Sequence, residues 1–461
     1  MADLADAQPT PYWLGQDGAP EPADPLQALE SADLAVVGAG YSGLWTALLA
    51  KERDPGRDVV VVEAATAGSA ASGRNGGFCS ASLTHGFDNG LSRFPDEMDE
   101  LERLGRANLD EIALAVERYK IDCDFRRTGE LIVATEPWHL RSLKASYADE
   151  SARGHDVEFL SQDAVRAEIA SPTYLGGVWD RTGCAMVDPA RLVWGLRRAC
   201  LELGVRLYEN TPVTALSATG AGMRVQTPHG RVDAARVALA TGAHAGLLRR
   251  LHHYVVPVYD YALMTEPLTG AQLASIGWSN RQGVGDAGNQ FHYYRLTADN
   301  RILWGGYDAV YYHDGRVAAE HDQREATFQL LADHFVETFP QLADVRFTHK
   351  WGGAIDTCSR FSGFFGTAHG GKLAYAVGYT GLGVGATRFG ANVMLDLLTG
   401  RRTALTSLKM VRRKPLPFPP EPVRSRVIEL TRWSIARADS HGGHRNLWLR
   451  TLDKVGVGFD S

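Results

Sequence analysis

Three glycines at a fixed spacing, with an acid twenty residues further on, are the residues of this chain best suited to hold a phosphate-bearing ligand. Gly38, Gly40 and Gly43 form a G-x-G-x-x-G run, enclosing Ser42, directly after the apolar stretch Leu34 to Val37. Gly38 permits a tight turn out of a strand. Gly40 lets the backbone approach a pyrophosphate, and Gly43 lets the next helix pack closely on the strand. Leu44, Ala47, Leu48 and Lys51 follow at helical spacing, and the N-terminus of such a helix offers N–H groups and a positive dipole end to phosphate. A second apolar run, Val59 to Val62, ends in Glu63-Ala64, where the Glu63 carboxylate can accept hydrogen bonds from ribose hydroxyls. An ordinary glycine turn would explain the glycines but not the placement of Glu63. The implied ligand is a dinucleotide.

A second bare stretch, "GSAASGRNGGFCSA", occupies residues 68 to 81. Its Ser72, Gly73, Arg74, Asn75, Gly76 and Gly77 leave backbone N–H groups uncovered along an extended path. That suits a ligand with a long polar tail between two ring systems, as in the ribityl diphosphate of FAD, better than compact NAD. A literal second fingerprint, Gly283 to Gly288, is rejected: polar "SNRQ" precedes it, and "NQFHYYRLTADNRILWGG" after it reads as a β-hairpin.

The remaining composition narrows the class. The chain has 461 residues, enough for two domains, and a net charge of −6 without a basic block, so nucleic acid is not an expected partner. No apolar run reaches the length of about 18 residues needed for a membrane span. The five scattered cysteines show no paired or metal-ligand spacing. A cytoplasmic protein with reduced thiols and no metal site is expected.

The combination of "VVGAGYSGL", "VVVVEA" and "SGRNGG" resembles the D-amino-acid-oxidase-type flavoenzymes, and within them the γ-glutamylputrescine oxidase-like amine oxidases, over roughly residues 30 to 405. The resemblance implies FAD as cofactor. It implies an α/β plus α+β fold: a Rossmann-type, glutathione-reductase-like FAD domain and a mixed β-sheet substrate domain, both discontinuous. It places Val213 beside the adenine and Thr241-Gly242 under the diphosphate. It makes Trp351 a wall of the flavin pocket, and sets Gly381, Leu382, Gly383 and Val384 against the ribityl chain and the pyrimidine side of the flavin. The reaction implied is oxidation of an amine or amino acid by hydride transfer to flavin N5. The imine formed hydrolyses to an aldehyde or keto acid, and dioxygen becomes hydrogen peroxide. The alternative is a dehydrogenase passing electrons to a quinone or protein. Some relatives place a lysine over the flavin to help oxygen react; Leu303 stands at that position here. No histidine lies in the first loop to tether FAD and Cys358 does not match a tethering motif, so FAD is expected to be non-covalent.

Substrate contacts are sought on the strands that would roof the flavin. Tyr259 and Tyr261 share one face of one strand; on the next, His292 and Tyr294 alternate with Tyr293 and Arg295. Tyrosine hydroxyls can hold a polar group and Arg295 a carboxylate. His85 and Arg388 are further pocket candidates.

The expected organisation is an arm (1–30), an FAD-binding domain (31–124, 186–250, 350–405), a substrate domain (125–185, 251–349) and a C-terminal extension (406–461) through which the chain can oligomerise. "DEMDELERLGRANLDEIALAVERY" reads as an outer amphipathic helix pair. In "VRSRVIELTRWSIARAD" the periodicity turns Val423, Val427, Leu430 and Ser434 or Trp433 inward.

Overall fold

The computed structural model describes residues 4–313 and 315–454. Two large sheets dominate it. The first is parallel at its centre, in the order Leu373–Val377, Arg231–Leu239, Leu29–Val37, Val59–Val62 and Arg206–Tyr208. Phe364–Ala368 closes one edge antiparallel, and Ala215–Ala218 with Met223–Gln226 forms a hairpin on Arg231–Leu239. The central strands are continuous apolar runs because both faces are covered, one by helices and the other by the Met223–Gln226 hairpin strand with Leu26, Leu248 and Leu251. Helix Tyr41–Arg53 is buried along nearly its whole length between the sheet and helices Pro189–Glu202 and Gly383–Thr399. Asp188 caps the second of these by accepting from the Arg191 N–H.

The second sheet runs Phe347–Thr357, Val256–Thr265, Ile302–Gly306, His292–Leu296, Gly283–Asp286, Glu130–Ala134, Gly176–Asp180 and Val157–Leu160. It is mixed, since Gly283–Asp286 pairs parallel with Glu130–Ala134 while the other neighbours are antiparallel. The rejected fingerprint is therefore a sheet strand, and the hairpin expected after it is present. Strand Phe347–Thr357 pairs along its length with Val256–Thr265. The boundary expected at residue 350 thus falls inside a strand of the second sheet.

Three expectations about outer elements change. The stretch read as a helix pair is a single helix, Met98–Arg118. The arm is pinned down: Gln8 bridges to His349, and Trp13 is buried beside Trp351, Met264 and Leu303. In the C-terminal helix Val423–Asp439 the inward residues are Ser425, Ser434 and Ala438, while Val423, Leu430 and Trp433 are exposed. Small side chains let this helix lie close to the body, where Arg432 pairs with Asp308 at 2.8 Å. All five cysteines are buried free thiols. Among the described residues no helix is long and apolar enough to cross a membrane.

Candidate active site

The two sheets enclose a cavity of about 760 Å³, within the size range of cofactor and ligand sites. One end is the glycine-run helix start. A Cβ on Gly43 would lie 1.8 Å from the Gly38 carbonyl oxygen, so only glycine lets helix and strand approach this closely. Gly38 has φ +105°, and a Cβ there would sit 2.5 Å from the Ala240 carbonyl. Both shape the turn from behind. Gly40 and Ser42 face the cavity. Glu63 sits at the strand tip, its carboxylate accepting from the Ala39 N–H at 2.6 Å and the Ala65 N–H at 3.0 Å. Ala64 is exposed beside it and Val213 is half-buried; neither lines the cavity.

The second bare loop folds over that helix start. Ser72 Oγ accepts from the Tyr41 N–H at 3.0 Å, and Asn75 closes the turn by donating to the Ala71 and Ser72 carbonyls and accepting from the Gly77 N–H. Arg74 Nη1 reaches Asp322 at 2.5 Å and Trp351 Nε1 donates to the Arg74 carbonyl at 2.9 Å, tying the loop to the second sheet. Ser72, Arg74, Asn75, Gly76 and Trp351 line the cavity. Gly73 and Gly77 are packing positions, where a Cβ would meet the Gly68 and Val187 carbonyls at 2.5 and 2.1 Å. Opposite, Gly381 to Val384 line the cavity as the start of helix Gly383–Thr399.

These residues fit an FAD-sized ligand. Gly242 faces open space, and next to it the buried Thr241 Oγ1 has no hydrogen-bond partner. A Cβ on Gly381 or Gly383 would meet nothing nearer than 4.0 Å. The N-termini of helices Tyr41–Arg53 and Gly383–Thr399 both open on the same space.

The roof is unusually bare. Gly285, Gly306 and Gly353 face the cavity, and between them stand Asp260 and Tyr293. The Tyr293 hydroxyl donates to Asp260 Oδ2 at 2.6 Å, and Asp260 Oδ1 accepts from the Tyr261 N–H at 2.8 Å. Burial pushes the Asp260 carboxyl up to about 6, with the Tyr293 hydrogen bond pulling it back down. Asp356, also on the wall, accepts from the Gly378 N–H at 2.7 Å and is likewise raised by burial to about 6. His85 lines the cavity near Gly381, with burial lowering its ring to about 4.

Most of the tyrosine, histidine and arginine candidates lie elsewhere, because the strands turn their other face to the cavity. His292 bonds Asp286 at 2.6 Å and His334 at 3.0 Å behind the sheet. The Tyr294 hydroxyl meets that of Tyr174 at 2.5 Å. Tyr259 donates to the Ala318 carbonyl; Tyr261 touches the cavity, but its hydroxyl is engaged by Tyr312 and the His321 carbonyl. Arg295 shares Tyr293's face yet turns away to the Val187 carbonyl at 2.6 Å. Arg388 pairs with Glu111. Leu303 is buried against Trp351 and Trp13. Cys358 Sγ donates to the Ser362 and Gly378 carbonyls. Asp260 was missed because the aromatic positions flanking it drew attention to the opposite face.

A parallel nucleotide-binding sheet, a glycine loop beneath a dinucleotide-sized cavity and a sheet roof define the class: a flavin-dependent oxidoreductase. Residues 33–397 match the family model DAO, "FAD dependent oxidoreductase", and the chain belongs to that family. It is 33% identical to the gamma-glutamylputrescine oxidoreductase of Escherichia coli K12, covering 84% of this chain and 88% of that protein. It is 28% identical to the probable oxidoreductase OrdL of Haemophilus influenzae, over 82% and 85%. The crystal structure of glycine oxidase from Geobacillus kaustophilus shares the fold, with a TM-score of 0.70, 22% identity, and coverage of 83% of this chain and 99% of that one. FAD is the cofactor of the family.

Proposed function

We propose that this chain oxidises a small-molecule amine or amino acid at the C–H bond beside its nitrogen. Water then converts the imine to an aldehyde or keto acid, releasing an amine or ammonia. The observation that carries this reading is the Asp260–Tyr293 pair, a half-buried acceptor for an amino group, facing the same cavity as the cofactor cradle. The identity to an amine oxidoreductase of Escherichia coli supports it. Bound FAD supplies the two-electron acceptor for the C–H bond.

The chain's own residues bind and orient. Glu63 is placed for ribose hydroxyls, and the helix starts at Gly40 and Gly383 for diphosphate and for negative charge on a reduced ring. Asp260 Oδ2, when ionised, accepts from the substrate nitrogen. Gly353, where a Cβ would meet nothing nearer than 3.7 Å, leaves room for the substrate beneath the sheet, and Trp351 helps exclude water.

Dioxygen, giving hydrogen peroxide, is the proposed final acceptor. Transfer to a quinone or protein is the second reading, kept because Leu303 stands where some relatives carry a lysine and packs against Trp351 and Trp13 instead of lining the cavity. Aerobic turnover of an amine panel tests both. Carbonyl product with equimolar peroxide supports the oxidase; product formed only with an added quinone supports the second reading; no carbonyl product from any amine overturns the proposal.

A further inference from the structure

The cavity does not end beneath the Asp260 strand. It continues past Ile132 and Val178 into a limb between the second sheet and the helices Met98–Arg118 and Pro137–Ala152, with Leu101 and Leu143 among its apolar walls. A small amine would leave this space empty.

The limb carries an unusual charge arrangement. Glu130 and Asp180 are direct partners across two antiparallel strands, and both line the cavity. Like charges placed opposite each other in a sheet repel. Burial, and then the charge of Asp180, push the Glu130 carboxyl up to about 7. Asp180 Oδ1 accepts from the Thr182 and Gly183 N–H groups, and the Cys184 thiol lies beside Glu130, but neither carboxylate forms an ion pair among the described residues. The basic groups nearby are engaged otherwise: His155 sits between Glu102 at 3.1 Å and Glu150 at 3.4 Å, and Arg106 reaches Thr182. An enclosed carboxylate pair without a cation is costly unless a ligand supplies one.

We propose that this limb binds the distal cationic group of a diamine- or polyamine-type substrate, with Glu130 and Asp180 as its acceptors. The strand of Glu130 lies four strand spacings from that of Asp260, about 19 Å. The second cation therefore sits about that far from the nitrogen that reacts. This inference rests on the amine-oxidation reading above and adds the substrate class.

The test uses the FAD-loaded enzyme and three homologous series of increasing chain length: alkyl monoamines, α,ω-diamines, and ω-amino carboxylates. Their KM values are read from flavin bleaching or product formation. The proposal expects diamines long enough to span the gap to have KM values at least about tenfold below those of monoamines of equal length, and the carboxylates to be the poorest. Glu130→Gln should collapse that diamine preference, and Glu130→Lys should shift preference toward the ω-amino carboxylates. Because the wild-type series needs no variant, loss of folding in either variant does not remove the test. Equal KM values for monoamines and diamines, or a wild-type preference for the carboxylates, overturn the inference and leave the amine reading standing. Bleaching by no amine overturns both.

Discussion

The Tyr293 hydroxyl and the Asp260 carboxylate meet at 2.6 Å on the cavity side of the second sheet, in strands separated only by Ile302–Gly306. Gly305 makes the contact possible, since a Cβ there would stand 2.7 Å from the Tyr293 oxygen. Beside the pair the roof is glycine at Gly285, Gly306 and Gly353.

That relationship fixes a pH dependence. The Asp260 carboxyl is raised to about 6, so below that pH it is protonated and the anionic acceptor is lost. A free alkyl ammonium, at roughly 10.4, independently limits the reactive amine at all lower pH. At low substrate the logarithm of the bleaching rate should rise with a slope of about two below pH 6 and about one above it, flattening only toward the free amine's own value of roughly 10.4. Asp260→Asn should give a slope of one throughout. Tyr293→Phe should move the break upward, because its hydrogen bond lowers the Asp260 value. His292→Ala should keep the wild-type shape, since His292 faces Asp286 and His334 behind the sheet. An Asp260→Asn profile identical to wild type removes Asp260 from the mechanism.

Gly40→Val places a Cβ 2.9 Å from Ser72 Oγ, with two methyls beyond it at the helix start that faces the cavity. FAD affinity should fall by on the order of tenfold or more, about 1.4 kcal/mol at the least. The flavin-to-protein absorbance ratio of the purified variant checks this, and full occupancy contradicts the placement of the cradle.

Cys358 Sγ is buried and donates to two carbonyls, and burial raises its thiol. A thiol held in this way is a poor nucleophile. Acid or heat should therefore release FAD into the supernatant; yellow colour retained on the precipitated chain would show a covalent link.

The nucleotide half was legible because each feature rests on local backbone geometry. The turn at Gly38, the close approach at Gly43 and the acid at the tip of the second strand are readable from spacing alone. The roof was less so. Alternation separated Tyr259 and Tyr261 from Asp260, and His292 and Tyr294 from Tyr293, but both faces of these strands are buried. One face lines the cavity and the other meets helix Glu325–Thr338, so no hydrophilic side marked which was which. The face of the C-terminal helix was misjudged for a related reason. Its side-chain contacts are polar, through Arg432 and Asp439, and its large apolar residues Val423, Leu430 and Trp433 stay outside.

Asp439, at the end of that helix, accepts from the Asn289 N–H and Nδ2 and from the Gln290 N–H, at 3.2, 2.5 and 2.9 Å. Both partners line the cavity. Asp439→Ala frees this loop and should raise KM by roughly three- to tenfold, about 1 kcal/mol, while FAD content holds. Unchanged KM would make the contact one of packing only.

The most direct test of the central claim is anaerobic mixing of the FAD-loaded protein with amines on one side and with NADH or NADPH on the other, followed by the flavin absorbance. The single fingerprint at residues 38–43 and the proposed amine-accepting role of the Asp260–Tyr293 pair predict saturable bleaching by amines and none by either nicotinamide. Rapid, saturable bleaching by NADH or NADPH with no response to any amine would contradict the account.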